Sequence, residues 1–176
     1  MDGDPIKITL FGPRHTGQGP LARAWGRTDA DLPDLQPVMI YERDVELEGT
    51  TRTVAAWVLS LDPRFDYMRT AMYLKTDAFI YTLELTEQSW RQLDYLDTFI
   101  DEASAALGGT TQPQVLIGSH IDPTLKYTPK VRATIDAWRE KHGGLPFYKI
   151  DLNQADTFFQ QAEAIFADVL AMILSH

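Results

Sequence analysis

Cysteine is absent from the 176 residues, which excludes disulfides and thiolate metal sites. Histidine is sparse: His15, His120, His142 and His176 are scattered and show no ligand spacing. Positive charge is in deficit. Sixteen Lys and Arg face twenty-five Asp and Glu, a formal charge of −9. Nucleic acid and anionic lipid are bound largely through neutralised phosphates, so neither is expected as a partner. One bound nucleotide stays compatible, because it needs only local donors. Apolar runs read as too short to span a membrane. Met1-Asp2-Gly3-Asp4 lacks a signal-peptide core, and Ile173-Leu174-Ser175-His176 lacks a prenylation cysteine. These absences predict a cytoplasmic protein without a membrane anchor.

What is present is the composition of a folded chain. Hydrophobic residues make up 44% and aromatics 11%, and the length suits a single domain over residues 1–176. Ile6 to Phe11 reads as a buried strand, followed by a short helix from Pro20 to Trp25 that Gly26 ends. Val38 to Leu47 and Arg52 to Leu61 read as a hairpin joined at Glu48-Gly49-Thr50. Phe65 to Leu74 reads as a helix and Ala78 to Leu85 as a strand. Thr86 is placed to cap a long helix with Trp90, Leu93, Leu96, Ile100, Ala103 and Leu107 at helical spacing, stopped by Gly108-Gly109. Val115 to Ile117 is a short apolar strand. Thr128-Pro129 opens a helix carrying Val131, Ile135 and Trp138. Pro146 to Ile150 is the last strand. Phe158, Ala162, Ile165, Val169 and Ile173 mark the final helix. Alternation of this kind predicts an α/β fold in three αβα layers. Its sheet has about six mostly parallel strands with one antiparallel edge strand, flanked by about five helices. Ligands of such sheets sit at the carboxyl ends of strands, here Gly12, Asp62, Gly118 to Asp122, and Asp151. Trp57, Phe79, Trp90, Trp138, Phe158 and Phe166 are read as core. Asp94, Asp97, Asp101 and Glu102 are read as a solvated helix face.

The segment Gly12-Pro13-Arg14-His15-Thr16-Gly17-Gln18-Gly19 follows the first strand directly. A phosphate-binding loop reads G-x-x-x-x-G-K-[ST] between a strand and a helix. Gly12 and Gly17 stand at the required spacing. Gln18 replaces the lysine that reaches the phosphates, and Gly19 replaces the hydroxyl that holds Mg²⁺. Two readings stay open: amides between Gly12 and Gly17 form an anion nest at a helix N-terminus, or the segment is a tight turn that binds nothing. Arg14 or His15 would supply charge only if turned inward, and Thr16 carries a hydroxyl in the wrong place to stand in for the one missing at position 19.

With these elements in order, the chain resembles a Ras-like small GTPase over nearly its whole length, through a series of degenerate motifs. Val115-Leu116-Ile117-Gly118-Ser119-His120-Ile121-Asp122 is similar to the family strand that ends in [NT]-K-x-D. Leu61-Asp62 followed by Tyr67-Met68-Arg69, and Leu145-Pro146-Phe147-Tyr148, also fall where family motifs do. The resemblance implies GTP or GDP as ligand, with guanine read by Asp122, Ser119 in place of the asparagine that ties loops together, and His120 in place of the lysine that packs on the base. A plain turn at Asp122-Pro123 is the competing reading. Asp62 keeps the position of the switch aspartate, but the glycine and glutamine of D-x-x-G-Q are missing. No glycine occurs between Thr50 and Leu107, and no Ser or Thr between Asp29 and Gly49. Mg²⁺ is therefore not expected, and no catalytic residue or metal ligand is assigned.

Three functional readings follow. The first is a pseudo-GTPase retained as a protein-interaction module. The second is an atypical small GTPase that binds GTP or GDP weakly and hydrolyses slowly. The third is an unrelated doubly wound enzyme whose Gly12–Gly19 turn holds another anion. For the first, Val38, Met39, Ile40 and Tyr41 with Arg64, Phe65 and Tyr67 form the expected surface for a protein partner or a homodimer.

Overall fold

The computed structural model describes residues 4–28, 36–120 and 127–176. Six strands form one sheet: β1 (Ile6–Phe11), β2 (Val38–Leu47), β3 (Thr50–Leu59), β4 (Ala78–Glu84), β5 (Gln114–His120) and β6 (Phe147–Asp151). Among the described residues, five α-helices accompany them: α1 (Gln18–Gly26), α2 (Asp66–Tyr73), α3 (Ser89–Ala106), α4 (Pro129–Lys141) and α5 (Ala155–Leu174). The strand order is β2-β3-β1-β4-β5-β6, with every neighbouring pair parallel except β2 with β3. The expected sheet, its antiparallel edge strand and the interior position of β1 are all found.

The elements form where the pattern predicts, and the differences lie at their ends. The hairpin turn is two residues, because Leu47 pairs with Thr50. Glu48 and Gly49 take φ of 49° and 78°, the left-handed pair that matches strand twist in a tight hairpin. β3 therefore ends at Leu59, earlier than the pattern suggested. Helix α1 begins at Gln18, directly after Gly17. Helix α3 begins at Ser89: the Thr86 hydroxyl accepts the Gln88 amide within a preceding turn and does not cap the helix. Trp90 then lies in the first helical turn, 49% exposed, under the Arg91 guanidinium, and not in the core.

Two apolar clusters lie on opposite faces of the sheet. One joins Ile6, Ile8, Leu10, Val54 and Val58 to Leu21, Ala22 and Trp25 of α1 and to Ala162, Ile165, Phe166 and Val169 of α5. Trp25 and Phe166 stack there at 4.3 Å. The other joins Phe11, Phe79 and Tyr81 to Tyr73 of α2, to Leu93, Leu96 and Ile100 of α3, and to Val131, Ile135 and Trp138 of α4. Helices α3 and α4 are fastened by Asp97, which accepts from Trp138 Nε1 at 2.8 Å and Lys141 Nζ at 2.6 Å and pairs with His142 Nε2 at 2.8 Å. Asp97 is thus a buttress between helices, where the sequence pattern suggested only a solvated face. Residues Thr157–Leu174 of α5 reach the length and composition of a membrane span, with mean hydropathy 1.3. The expectation that every apolar stretch falls short is corrected here. Part of the stretch, Ala162, Ile165, Phe166 and Val169, packs on the sheet.

Candidate functional site

A cleft of about 290 Å³ opens at the carboxyl end of β1, lined by Gly12, Arg14, His15, Gly17, Gln18 and Gly19 on one side and by Gln36, Met39, Ser60 and Leu152 on others. Its place follows from topology, because β1 and the adjacent parallel strands end on the same sheet edge. Gly12 is required there: a Cβ would sit 2.2 Å from the Thr82 carbonyl oxygen. Gly17 takes φ of 100° and lies against Leu152 and Ile150. It precedes α1 without any side-chain cap, which leaves the first amides of the helix facing the cleft.

Two side chains of the loop, Thr16 and Gln18, are used internally. Gln18 Nε2 donates to the carbonyls of Gly12 at 3.3 Å and Pro13 at 3.2 Å. Gln18 Oε1 lies 3.0 Å from Thr16 Oγ1 and 3.2 Å from Thr82 Oγ1. The two hydroxyls are 2.7 Å apart, and Thr16 Oγ1 is also 2.7 Å from the Pro13 carbonyl. Thr16 is 3% exposed and Thr82 is fully buried, so Thr16 belongs to the loop's interior and offers nothing to a ligand. Arg14 and His15 are exposed and line the cleft, with His15 at φ 62°.

Asp62 does not behave as the resemblance implies. Its carboxylate accepts from the Arg64 amide at 3.0 Å, Arg64 Nε at 2.8 Å and Arg64 Nη2 at 2.6 Å. It caps the 3₁₀ turn Pro63–Phe65, and the Arg64 side chain and amide together hold its carboxyl well below the usual carboxylate range. At the end of β3 the cleft is lined by Val58, Leu59, Ser60 and Leu61 and not by Asp62; Ser60, the polar one, carries no expectation from the sequence. An Asp-Pro pair opening a helical turn is a capping signal that would have revealed the role of Asp62.

The segment following Asp62 is fixed in place. Arg69, 3% exposed, donates from Nε to Glu102 at 2.9 Å and from Nη2 to Asp66 at 2.6 Å, and lies 4.7 Å over the Phe99 ring. At the other end of α2, Lys7 Nζ donates to the carbonyls of Met72 at 2.5 Å and Leu74 at 2.9 Å and sits 4.0 Å over Trp57. Burial lowers the Lys7 ammonium to about 8, against the opposing pull of Asp77. Arg69 Nη1 and the Tyr73 hydroxyl have no hydrogen-bond partner among the described residues.

On the β5 side, Ser119 is fully buried and donates to the Leu83 carbonyl at 3.2 Å. It ties β5 to β4 and does not tie the ligand loops together as the resemblance implied. The His120 carbonyl accepts the Leu152 amide at 3.2 Å, joining the ends of β5 and β6. Asp122, the expected guanine reader, lies outside the described residues.

The expected partner surface divides along β2. Alternation turns Met39 and Tyr41 toward α1 and α5. Tyr41, 5% exposed, packs against Gly26, and Met39 reaches toward Gly19. Tyr41 is therefore removed from the surface, because the strand's period of two makes it core. Val38 is half-buried against the other cluster. Ile40 is 42% and Tyr67 84% exposed; Arg64 is exposed over the half-buried Phe65 ring. No protein-family model matches the chain, and a search of curated proteins finds no match for it.

Proposed function

We propose that the chain is a Ras-like domain that serves as a protein-interaction or regulatory module and not as a nucleotide hydrolase. One observation carries this reading: the groups at the positions of the phosphate and Mg²⁺ ligands are absent or engaged within the chain. Gln18 spends both amide hydrogens on loop carbonyls, Gly19 brings no hydroxyl, and Asp62 is neutralised by Arg64. Phosphoryl transfer depends on such donors, and each one lost costs on the order of 10²-fold in rate. The strand order and the loop between β1 and α1 support the Ras-like part of the reading. The anchoring of α2 by Arg69 and Lys7 supports a surface that does not depend on a γ-phosphate for its order. Of the expected surface, Ile40, Phe65 and Tyr67 with Arg64 are the residues left to meet a partner.

A second reading has one observation in its favour. The uncapped start of α1 faces a cleft large enough for part of a nucleotide, which suits weak GTP or GDP binding without a Mg²⁺ shell. Calorimetry with GDP, GTP and ATP, each with and without Mg²⁺, separates the two. The module reading expects no saturable heat with any of them. Saturable binding of GDP and GTP but not ATP favours the second.

A further inference from the structure

We propose that Gln18 is the central tie that holds the β1–α1 loop in its cradle shape, so that folding of this domain does not depend on a nucleotide; the inference rests on the Ras-like reading above. A carboxamide offers two N–H donors and one acceptor oxygen. At Gln18 both donors go to the carbonyls of Gly12 and Pro13, and the oxygen faces the hydroxyls of Thr16 and Thr82. These bonds join the end of β1, the start of α1 and the middle of β4 at one point. Thr16 and Thr82 are buried and bond each other, and Thr16 also meets the Pro13 carbonyl, so removing the carboxamide takes one donor from each of the Gly12 and Pro13 carbonyls and the third partner from the hydroxyl pair. Gly12 presses against Thr82 from the other side, and the loop is determined from both directions.

The same geometry separates holding from binding. An ammonium at position 18 would use two of its three N–H groups on the same two carbonyls and keep one for an anion. The carboxamide keeps none. Gln18 thus holds the loop carbonyls and has no N–H left for a ligand. A ligand that binds only the native state raises its stability. A loop already held by Gln18, with no donor to spare, gives a nucleotide little to add.

The test is thermal unfolding of the full chain, stripped of nucleotide, as wild type, Gln18→Ala, Thr82→Val and Gln18→Lys. Each is melted alone, with GDP and Mg²⁺, and with inorganic pyrophosphate. Wild type is expected to melt at the same temperature in all three conditions. Gln18→Ala should melt lower by on the order of 5 °C, and Thr82→Val should follow it in the same direction, which serves if the alanine variant fails to fold. Gln18→Lys should recover most of the wild-type melting temperature and gain a stabilisation by pyrophosphate that wild type lacks. Unchanged melting in both Gln18→Ala and Thr82→Val overturns the role of Gln18 and leaves the Ras-like reading standing. So does a lysine variant that neither recovers stability nor responds to pyrophosphate. Loss of a cooperative melt in stripped wild type overturns nucleotide independence, whereas stabilisation of a cooperatively melting wild type by GDP leaves the role of Gln18 standing and counts against the module reading.

Discussion

The two faces of the sheet are built from different materials. The face under α1 and α5 is aliphatic, with one stacked pair, Trp25 on Phe166. The face under α2, α3 and α4 is aromatic, with Phe11, Tyr73, Phe79 and Tyr81 in mutual contact, and it also encloses the cations Lys7 and Arg69. Apolar packing dominates where the first pair of helices meets the sheet, with Arg27 and Arg43 reaching Glu163 of α5 at its margin. The second face carries buried charge where α2 attaches, and buried charge is weak evidence for stability because desolvation offsets most of the attraction. What the cations do contribute is a fixed position for α2: each meets partners in one geometry only. Both faces bury an apolar core; the second also fixes the helix that bears the exposed Tyr67.

The largest effect is expected on the aliphatic face. Trp25→Ala removes a ring that is 2% exposed and stacked, and should cost about 3–5 kcal/mol in urea unfolding. A loss below about 1 kcal/mol would mean that this face is not the stabilising one.

Next comes the buried cation of α2. Arg69→Ala leaves Glu102 and Asp66 without their partner. The two carboxylates are partly solvated, so the expected loss is about 2–3 kcal/mol, below that of a fully buried pair. The double variant Arg69→Met with Glu102→Leu sharpens the comparison: near-native stability is expected, combined with faster amide exchange in α2. If the double variant is as unstable as Arg69→Ala, the pair stabilises the fold as well as positioning it.

Gly12→Ala should cost about 1–3 kcal/mol through overpacking. Thr82→Ala should not rescue it, because the backbone carbonyl of Thr82 lies as close as its hydroxyl. Rescue would show that the loop moves freely against β4.

The smallest effect is the pH dependence of Lys7. Its folded-state value of about 8 lies below the ordinary value of about 10.4. Between the two the unfolded chain holds more protons, so stability should rise with pH across that window. The rise between about pH 7.5 and 9.5 should not exceed about 1 kcal/mol once solvent screening is allowed for, and Lys7→Met should flatten it. A fall over the same range in the wild type would contradict the assignment.

Much of this architecture is legible in the sequence, because its strands are short apolar runs and its helices carry apolar residues at helical spacing. Gly12 and Gly17 mark the loop for the same reason that glycine is needed there. What the sequence conceals are partners distant along the chain. Nothing near Gln18 points to Thr82 on β4, and nothing near Arg69 points to Glu102 on α3. Asp62 misleads because the nearby Arg64 satisfies it, so a carboxylate at a suggestive position is already spoken for. Tyr41 misleads in a different way: a strand with an apolar run leaves undecided which alternate residues face inward until the helix above it is placed.

The hold that Asp97 has on α4 bears on how the domain comes apart. Trp138 and Lys141 of α4 and His142 just past its end converge on a single carboxylate of the neighbouring helix. Separating the two helices frees all three at once, so the opening is all-or-none. Helices α3 and α4 are thus expected to form one cooperative unit of local unfolding, in which their slowest-exchanging amides share a common opening free energy.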